Sequence, residues 1–124
     1  MRSIPRLPDG ELEVMQALWA CPAPAARADI EDVLFPIHEM APTTLLTILS
    51  RLADKGFVES CREGRRSLYR PLVAEADYLA AQSGSFVQKL FRGDMASFAS
   101  ALCDSGISRE DLEELSQLLK KGEL

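Results

Sequence analysis

The chain has few of the residues that build catalytic and metal sites. It contains one histidine, His38, and three cysteines, Cys21, Cys61 and Cys103, in 124 residues. The cysteines are odd in number, far apart and never in a CxxC pair. That excludes a disulfide framework and a zinc site of ordinary spacing. They read as small apolar side chains in a reducing compartment. His38 sits in a loop beside Glu39 and reads as a surface residue. Neither a Ser/His/Asp or Cys/His set nor a glycine-rich phosphate loop lies within a credible element, so no enzyme is expected. No metal and no cofactor are expected either. No apolar run approaches the roughly 20 residues that cross a bilayer, so no membrane contact is expected. The segment Met1-Arg2-Ser3-Ile4-Pro5-Arg6-Leu7 lacks the apolar core of a signal peptide, and the expected location is the cytoplasm.

Apolar residues are plentiful by contrast. At 47% they are too frequent for a disordered chain, and 124 residues can bury a core without staples. The net charge is −5, but it is unevenly spread: residues 1–74 carry −1 and residues 75–124 carry −4. Within residues 51–70, Arg51, Lys55, Arg62, Arg65, Arg66 and Arg70 outweigh Asp54, Glu59 and Glu63. Local positive charge of this kind is the footprint expected of a nucleic-acid contact, although solvated faces also show it.

The apolar spacing predicts a first helix from Asp9, with Asp9 as its cap and Leu12, Met15, Leu18 and Trp19 as its stripe. Cys21-Pro22-Ala23-Pro24 ends it. A second helix is predicted over about Ala26–Ile37, with Ile30, Val33, Leu34 and Ile37 on one face. The third is the best marked. Pro42 suits its first turn and Gly56 the position past its end. Leu45, Ile48, Leu49 and Leu52 form its inward stripe. Its other face carries Thr43, Thr44, Thr47, Ser50, Arg51 and Asp54. Threonines are poor helix formers, so that face has a use beyond stability or is simply solvated.

Two strands follow, Phe57–Arg62 and Ser67–Val73, around the turn Glu63-Gly64-Arg65-Arg66. Pro71 puts the second strand at a sheet edge or at its own end. Residues 75–124 read as three helices. The first runs to about Arg92, with Leu79, Phe86, Val87, Leu90 and Phe91 as its apolar set. The second is capped by Asp94 and carries Met95, Phe98, Ala99 and Leu102. The third is capped by Ser108 and carries Leu112, Leu115, Leu118 and Leu119.

Three helices followed by a hairpin make a winged helix-turn-helix, whose third helix enters the major groove while the hairpin touches the backbone beside it. On this reading Thr43, Thr44, Leu46, Thr47 and Arg51 face bases or phosphates. Threonine hydroxyls bond either group, and methyls pack on thymine. Arg62, Arg65 and Arg66 of the wing neutralise phosphates, which gives affinity but little sequence information. Each piece has an ordinary alternative: a solvated helix face, a solvent-exposed turn, Leu46 buried against another helix, Tyr69 in the core. Their order and spacing together favour the DNA reading.

The runs Glu11-x-x-Val14-Met15-x-x-Leu18-Trp19, Thr44-x-x-Thr47-x-Leu49-x-Arg51-Leu52-x-x-Lys55-Gly56 and Gly64-Arg65-x-x-x-Tyr69 resemble the penicillinase-repressor family of bacterial regulators. That family includes repressors of β-lactamase and methicillin-resistance genes and related copper-responsive repressors. The resemblance runs from about Leu7 to Lys121 and includes Phe91-x-Gly93. It implies a mainly α protein with a small β-hairpin: a winged-helix DNA-binding domain over residues 1–74, then a helical dimerisation domain over residues 75–124. It implies a homodimeric repressor on a palindromic double-stranded operator. Leu79, Phe86, Leu90, Phe98, Leu102, Leu112, Leu115, Leu118 and Leu119 would then be buried by the partner chain. Left bare, they would form a large apolar surface for so short a segment.

Departures from the family limit the transfer. The resistance repressors are inactivated by proteolysis at an Asn-Phe bond in the dimerisation domain. Here that place reads Ala101-Leu102, so cleavage at that bond does not carry over and a sensor protease as partner stays open. The copper-responsive members carry a C-terminal cysteine cluster, whereas this chain ends Lys120-Lys121-Gly122-Glu123-Leu124. Leu45 and Leu46 stand where some members have polar or basic residues, so the operator does not carry over. Two other readings stay open: a winged-helix regulator with a small-molecule pocket in its helical half, and a winged helix used only for protein–protein contact.

Overall fold

The structure, a computed structural model, describes residues 4–122. The leader reading at Met1–Ser3 and the cysteine-free end at Glu123-Leu124 lie outside the described residues. The elements are α1 (Asp9–Ala20), β1 (Ala25–Ala26), α2 (Arg27–Leu34), α3 (Pro42–Asp54), β2 (Val58–Glu63), β3 (Arg66–Pro71), α4 (Glu75–Phe91), α5 (Met95–Asp104) and α6 (Arg109–Lys121). The chain divides into two compact units, and the division falls after Gln82, inside α4.

In the first unit, α1 is capped by Pro8, and Asp9 is its first residue rather than its cap. Its buried face is Val14, Met15, Ala17 and Leu18, while Leu12 and Trp19 are only half-buried. Helix α2 is shorter than its spacing suggests. Ala26 pairs in β1, and the Asp29 carboxylate accepts its N–H at 3.0 Å, which fixes the helix start. At the other end, Ile37 and His38 both donate to the Leu34 carbonyl in a turn. Ile30 and Leu34 are buried, but Ile37 is 77% exposed and takes no part in the core.

Helix α3 matches its sequence signals. Leu45, Leu49 and Leu52 are buried and Ile48 packs beside them. Gly56 ends it at φ +81°, a left-handed conformation that glycine adopts without a Cβ penalty. The Gly56 N–H bonds to Ala53 O and the Phe57 N–H to Leu52 O, at 3.0 and 2.9 Å. This paired cap satisfies helix-end carbonyls and turns Phe57 into the core against Leu52.

Strands β2 and β3 form an antiparallel hairpin from Val58↔Pro71 to Glu63↔Arg66. Gly64, at φ +64°, takes the first place of the two-residue turn, where a left-handed residue suits the strand twist. β1 pairs with the far side of β3, so β3 is the central strand and Pro71 marks its end, not an edge.

Tyr78 draws the start of α4 into this unit. It is 3% exposed, its hydroxyl accepts the Leu7 N–H at 2.9 Å, and its ring lies 5.8 Å from Trp19 and 5.9 Å from Phe57. Trp19 Nε1 donates to Val73 O, and Gln82 Nε2 to Ile4 O. Glu11 is the one charged residue buried among the described residues, and it pairs with Lys55. Two cysteines differ from the small-apolar reading: Cys61 and Cys103 are exposed. Cys21 is half-buried; burial pushes its thiol pKa up, helped by the Asp29 and Asp32 carboxylates.

The second unit holds the rest of α4 with α5 and α6. Asp94 caps α5 by accepting the Ala96 and Ser97 N–H groups and the Ser97 hydroxyl. Those bonds favour its charged form and hold its carboxyl below the usual range. Ser108 caps α6 through the Asp111 N–H. Phe86, Phe91 and Phe98 meet edge to face at 5.4–6.5 Å. Leu90, Met95 and Leu119 remain 63%, 60% and 61% exposed. Among the described residues, no helix is long and apolar enough to cross a membrane.

Candidate nucleic-acid interface

The leucine stripe of α3 decides which residues face outward. With Leu45, Leu49 and Leu52 buried, the helix turns Thr43, Thr44, Thr47, Ser50 and Arg51 to solvent. Leu46 lies between the two faces at 40% exposed. Burial against a neighbouring helix is therefore not its role here. The Thr47 hydroxyl donates to Thr43 O at 2.9 Å, the back-bond that threonines make within helices. That commits its proton to the backbone and leaves its methyl and lone pairs free.

The wing holds four arginines in different states, three near its tip and Arg70 near its base. Arg62 donates to Arg65 O across 3.5 Å, folding its guanidinium back on the turn. Arg66 and Arg70 pair with Glu63 and Glu59 at 3.8 and 3.7 Å. All four of those side chains are more than half exposed, so the pairs are worth little and are readily exchanged for phosphate. Arg65 and Arg51 make no ion pair among the described residues.

A cleft of about 400 Å³ joins helix and wing. It is lined by Leu46 of α3, by Arg65, Arg66, Ser67 and Tyr69 of the hairpin, and by Ala26, Arg27 and Ala28. The structure thus brings Leu46, Arg65 and Arg66 together. Thr43, Thr44, Thr47 and Arg51 stand on the exposed face of α3, outside the cleft lining, and so does Arg62 on β2. Tyr69 is buried and fills the floor, so it is a packing residue.

Sequence reasoning missed the contribution of α2. Its first turn lines the cleft through Arg27 and Ala28. Arg27 is paired there with Glu31 at 3.4 Å. The available signal was a basic residue in a helix's first turn, where the helix dipole disfavours it.

The sequence model for the penicillinase repressor family matches residues 7–121. The chain belongs to the penicillinase repressor family. The penicillinase repressor of Bacillus licheniformis is 33% identical over 122 residues, covering 98% of this chain and 94% of that one. The methicillin resistance regulatory protein MecI of Mammaliicoccus sciuri is 29% identical over 112 residues, 90% of each chain. Two solution structures of the repressor BlaI resemble this one at 35% identity, each covering 63% of this chain and 94% of its own. One is the DNA-binding domain, at TM-score 0.53. The other is the Bacillus licheniformis monomeric form with the blaP half-operator, at 0.52. The architecture of this penicillinase repressor relative is a winged helix-turn-helix followed by helices, as its sequence implies. The family is one of repressors, not of enzymes.

Proposed function

We propose that this member of the penicillinase repressor family is a DNA-binding transcriptional repressor that acts as a homodimer on a palindromic operator. One observation carries the reading: Leu46 of α3 and Arg65-Arg66 of the wing line a single cleft beside an α3 face that is bare of core contacts. A groove-reading helix and a phosphate-gripping wing need that adjacency. BlaI, the relative whose half-operator complex shares the winged-helix fold, supports duplex DNA as the ligand.

The roles divide by chemistry. Thr43, Thr44, Leu46, Thr47 and Arg51 read base edges and methyls, while Arg62, Arg65 and Arg66 neutralise phosphates. We assign DNA reading to the first unit and dimerisation to the second, which moves the functional border from 74/75 to after Gln82, within α4. The exposed Phe86, Leu90, Leu115 and Leu119, with the half-buried Phe98, Leu102, Leu112 and Leu118, are the surface a partner chain covers. Leu79, also expected at the partner interface, is 55% exposed and lies in the first unit. We place the protein in the cytoplasm, with the chromosome. Induction by a sensor protease at this place would require the last turn of α5 to open, because Ala101-Leu102 lies within it.

The test is an anisotropy titration of the full chain against the duplex upstream of its own gene, at several salt concentrations. The expected result is a fall of log K with log salt at a slope of about −5 or steeper, since a dimer engages several phosphates per half-site. A winged helix used only for protein contacts would show no such binding.

A further inference from the structure

Glu11 is out of place by the ordinary rules. It sits in the first turn of α1, where a carboxylate suits the helix dipole, yet its side chain is 8% exposed. The partner that holds it there, Lys55, is the C-cap residue of α3 and is 37% exposed. The pair therefore ties the start of one helix to the end of the helix that presents Thr43–Arg51.

A buried ion pair is a poor source of stability. Removing two charges from water offsets most of their attraction, and apolar residues of similar volume often serve as well or better. What the pair adds is register. The contacts that hold α3 in the core are leucines at 45, 49 and 52, alike in shape and about a turn apart. A slide of one turn would keep leucine facing leucine, and is resisted at the helix end by the Gly56–Phe57 cap and by this pair. The same slide would pull the Lys55 ammonium from the Glu11 carboxylate by about 5.4 Å and strand a buried charge.

We infer that Glu11–Lys55 is a positioning pair: it fixes the axial setting of α3, and so governs how sharply DNA sequences are distinguished rather than how firmly the chain folds. This rests on the DNA-binding reading. Neither residue lines the cleft and Glu11 lies on α1, so the effect is assigned to the placement of the helix; the salt slope separates it from a direct contact of the exposed Lys55 with phosphate.

The experiment uses the full chain. The probes are the duplex that the parent protein enriches from a randomised library and a scrambled duplex of equal composition. Glu11→Met with Lys55→Met is expected to melt within about 4 °C of the parent. Its salt slope should stay within about 1 of the parent's. Its preference for the enriched duplex should fall at least about tenfold, a fraction of the range that specific binders show. Lys55→Arg, which keeps the pair, should retain the preference. If the double variant does not fold, Glu11→Gln is measured in its place and should lose preference in the same way. Three outcomes overturn the inference: undiminished preference in the apolar or Gln variant; loss of preference and slope together, which would make Lys55 a phosphate contact; or equal loss in Lys55→Arg. A parent protein that enriches no duplex overturns the DNA-binding reading itself, and the inference with it.

Discussion

Cutting the chain after Gln82 is expected to leave a folded monomer, whereas cutting after Val73 is expected to leave no stable fold. The difference is Tyr78. Its ring is buried between Trp19 and Phe57, and its hydroxyl serves the buried Leu7 N–H. Losing a core aromatic costs about 3–5 kcal/mol. Leaving a buried N–H unmet adds about 1–3 kcal/mol. Together these approach the whole stability of a small domain, about 5–15 kcal/mol. The longer fragment keeps Tyr78 and the Gln82 bond to Ile4, but lacks α5 and α6. Without a dimer, the second half-site is no longer bound intramolecularly. Affinity for a full site should drop by about 10²–10⁴-fold, while affinity for a single half-site stays near the parent's. Circular dichroism and sedimentation check folding and mass; anisotropy on full and half sites checks affinity. A Gln82 fragment that bound the full site as tightly as the parent would rule out the dimer.

Arg65→Ala with Arg66→Ala should weaken binding to every duplex by roughly 10- to 100-fold at moderate salt. The salt slope should flatten by about 1 for each phosphate left without its arginine, hence by about 2 per protomer. The weakening should be equal for preferred and scrambled duplexes, since phosphate contacts carry no sequence information. Both side chains reach the cleft, and the Arg66–Glu63 pair is too exposed to compete with phosphate. Folding should not change, because neither arginine touches the core. An unaltered slope would remove the wing from the interface.

The parts of this protein that follow from local chemistry were open to reading from sequence. Pro42, the leucines of α3 and Gly56 delimit α3 because each acts within a few residues of itself. Asp94 and Ser108 announce the later helices by capping chemistry, and Gly64 marks the hairpin. What stayed hidden depends on distant partners. β1 is two alanines, with no strand preference of their own, held by β3. Leu79 fits the apolar pattern of α4, yet its neighbour Tyr78 is the residue that turns inward, toward Leu7 far back in the chain. Glu11 reads as a dipole-friendly first-turn residue, and only Lys55 shows why it is buried. Cys61 and Cys103 carry no local signal of exposure. At the candidate interface, α3 and the wing were legible, but Arg27 comes to line the same cleft only through the packing of α2 beside the hairpin.

The central assignment is that the outward face of α3 reads bases while the wing only grips phosphate. It is tested most directly by repeating the library selection with Leu46→Gln and Thr47→Asn together in the full chain. Both substitutions lie on the exposed side of α3 and leave the leucine core intact. The expected result is a changed enriched sequence, confined to a few adjacent positions in each half-site, at an unchanged salt slope. Enrichment of the same sequence as the parent would contradict the assignment.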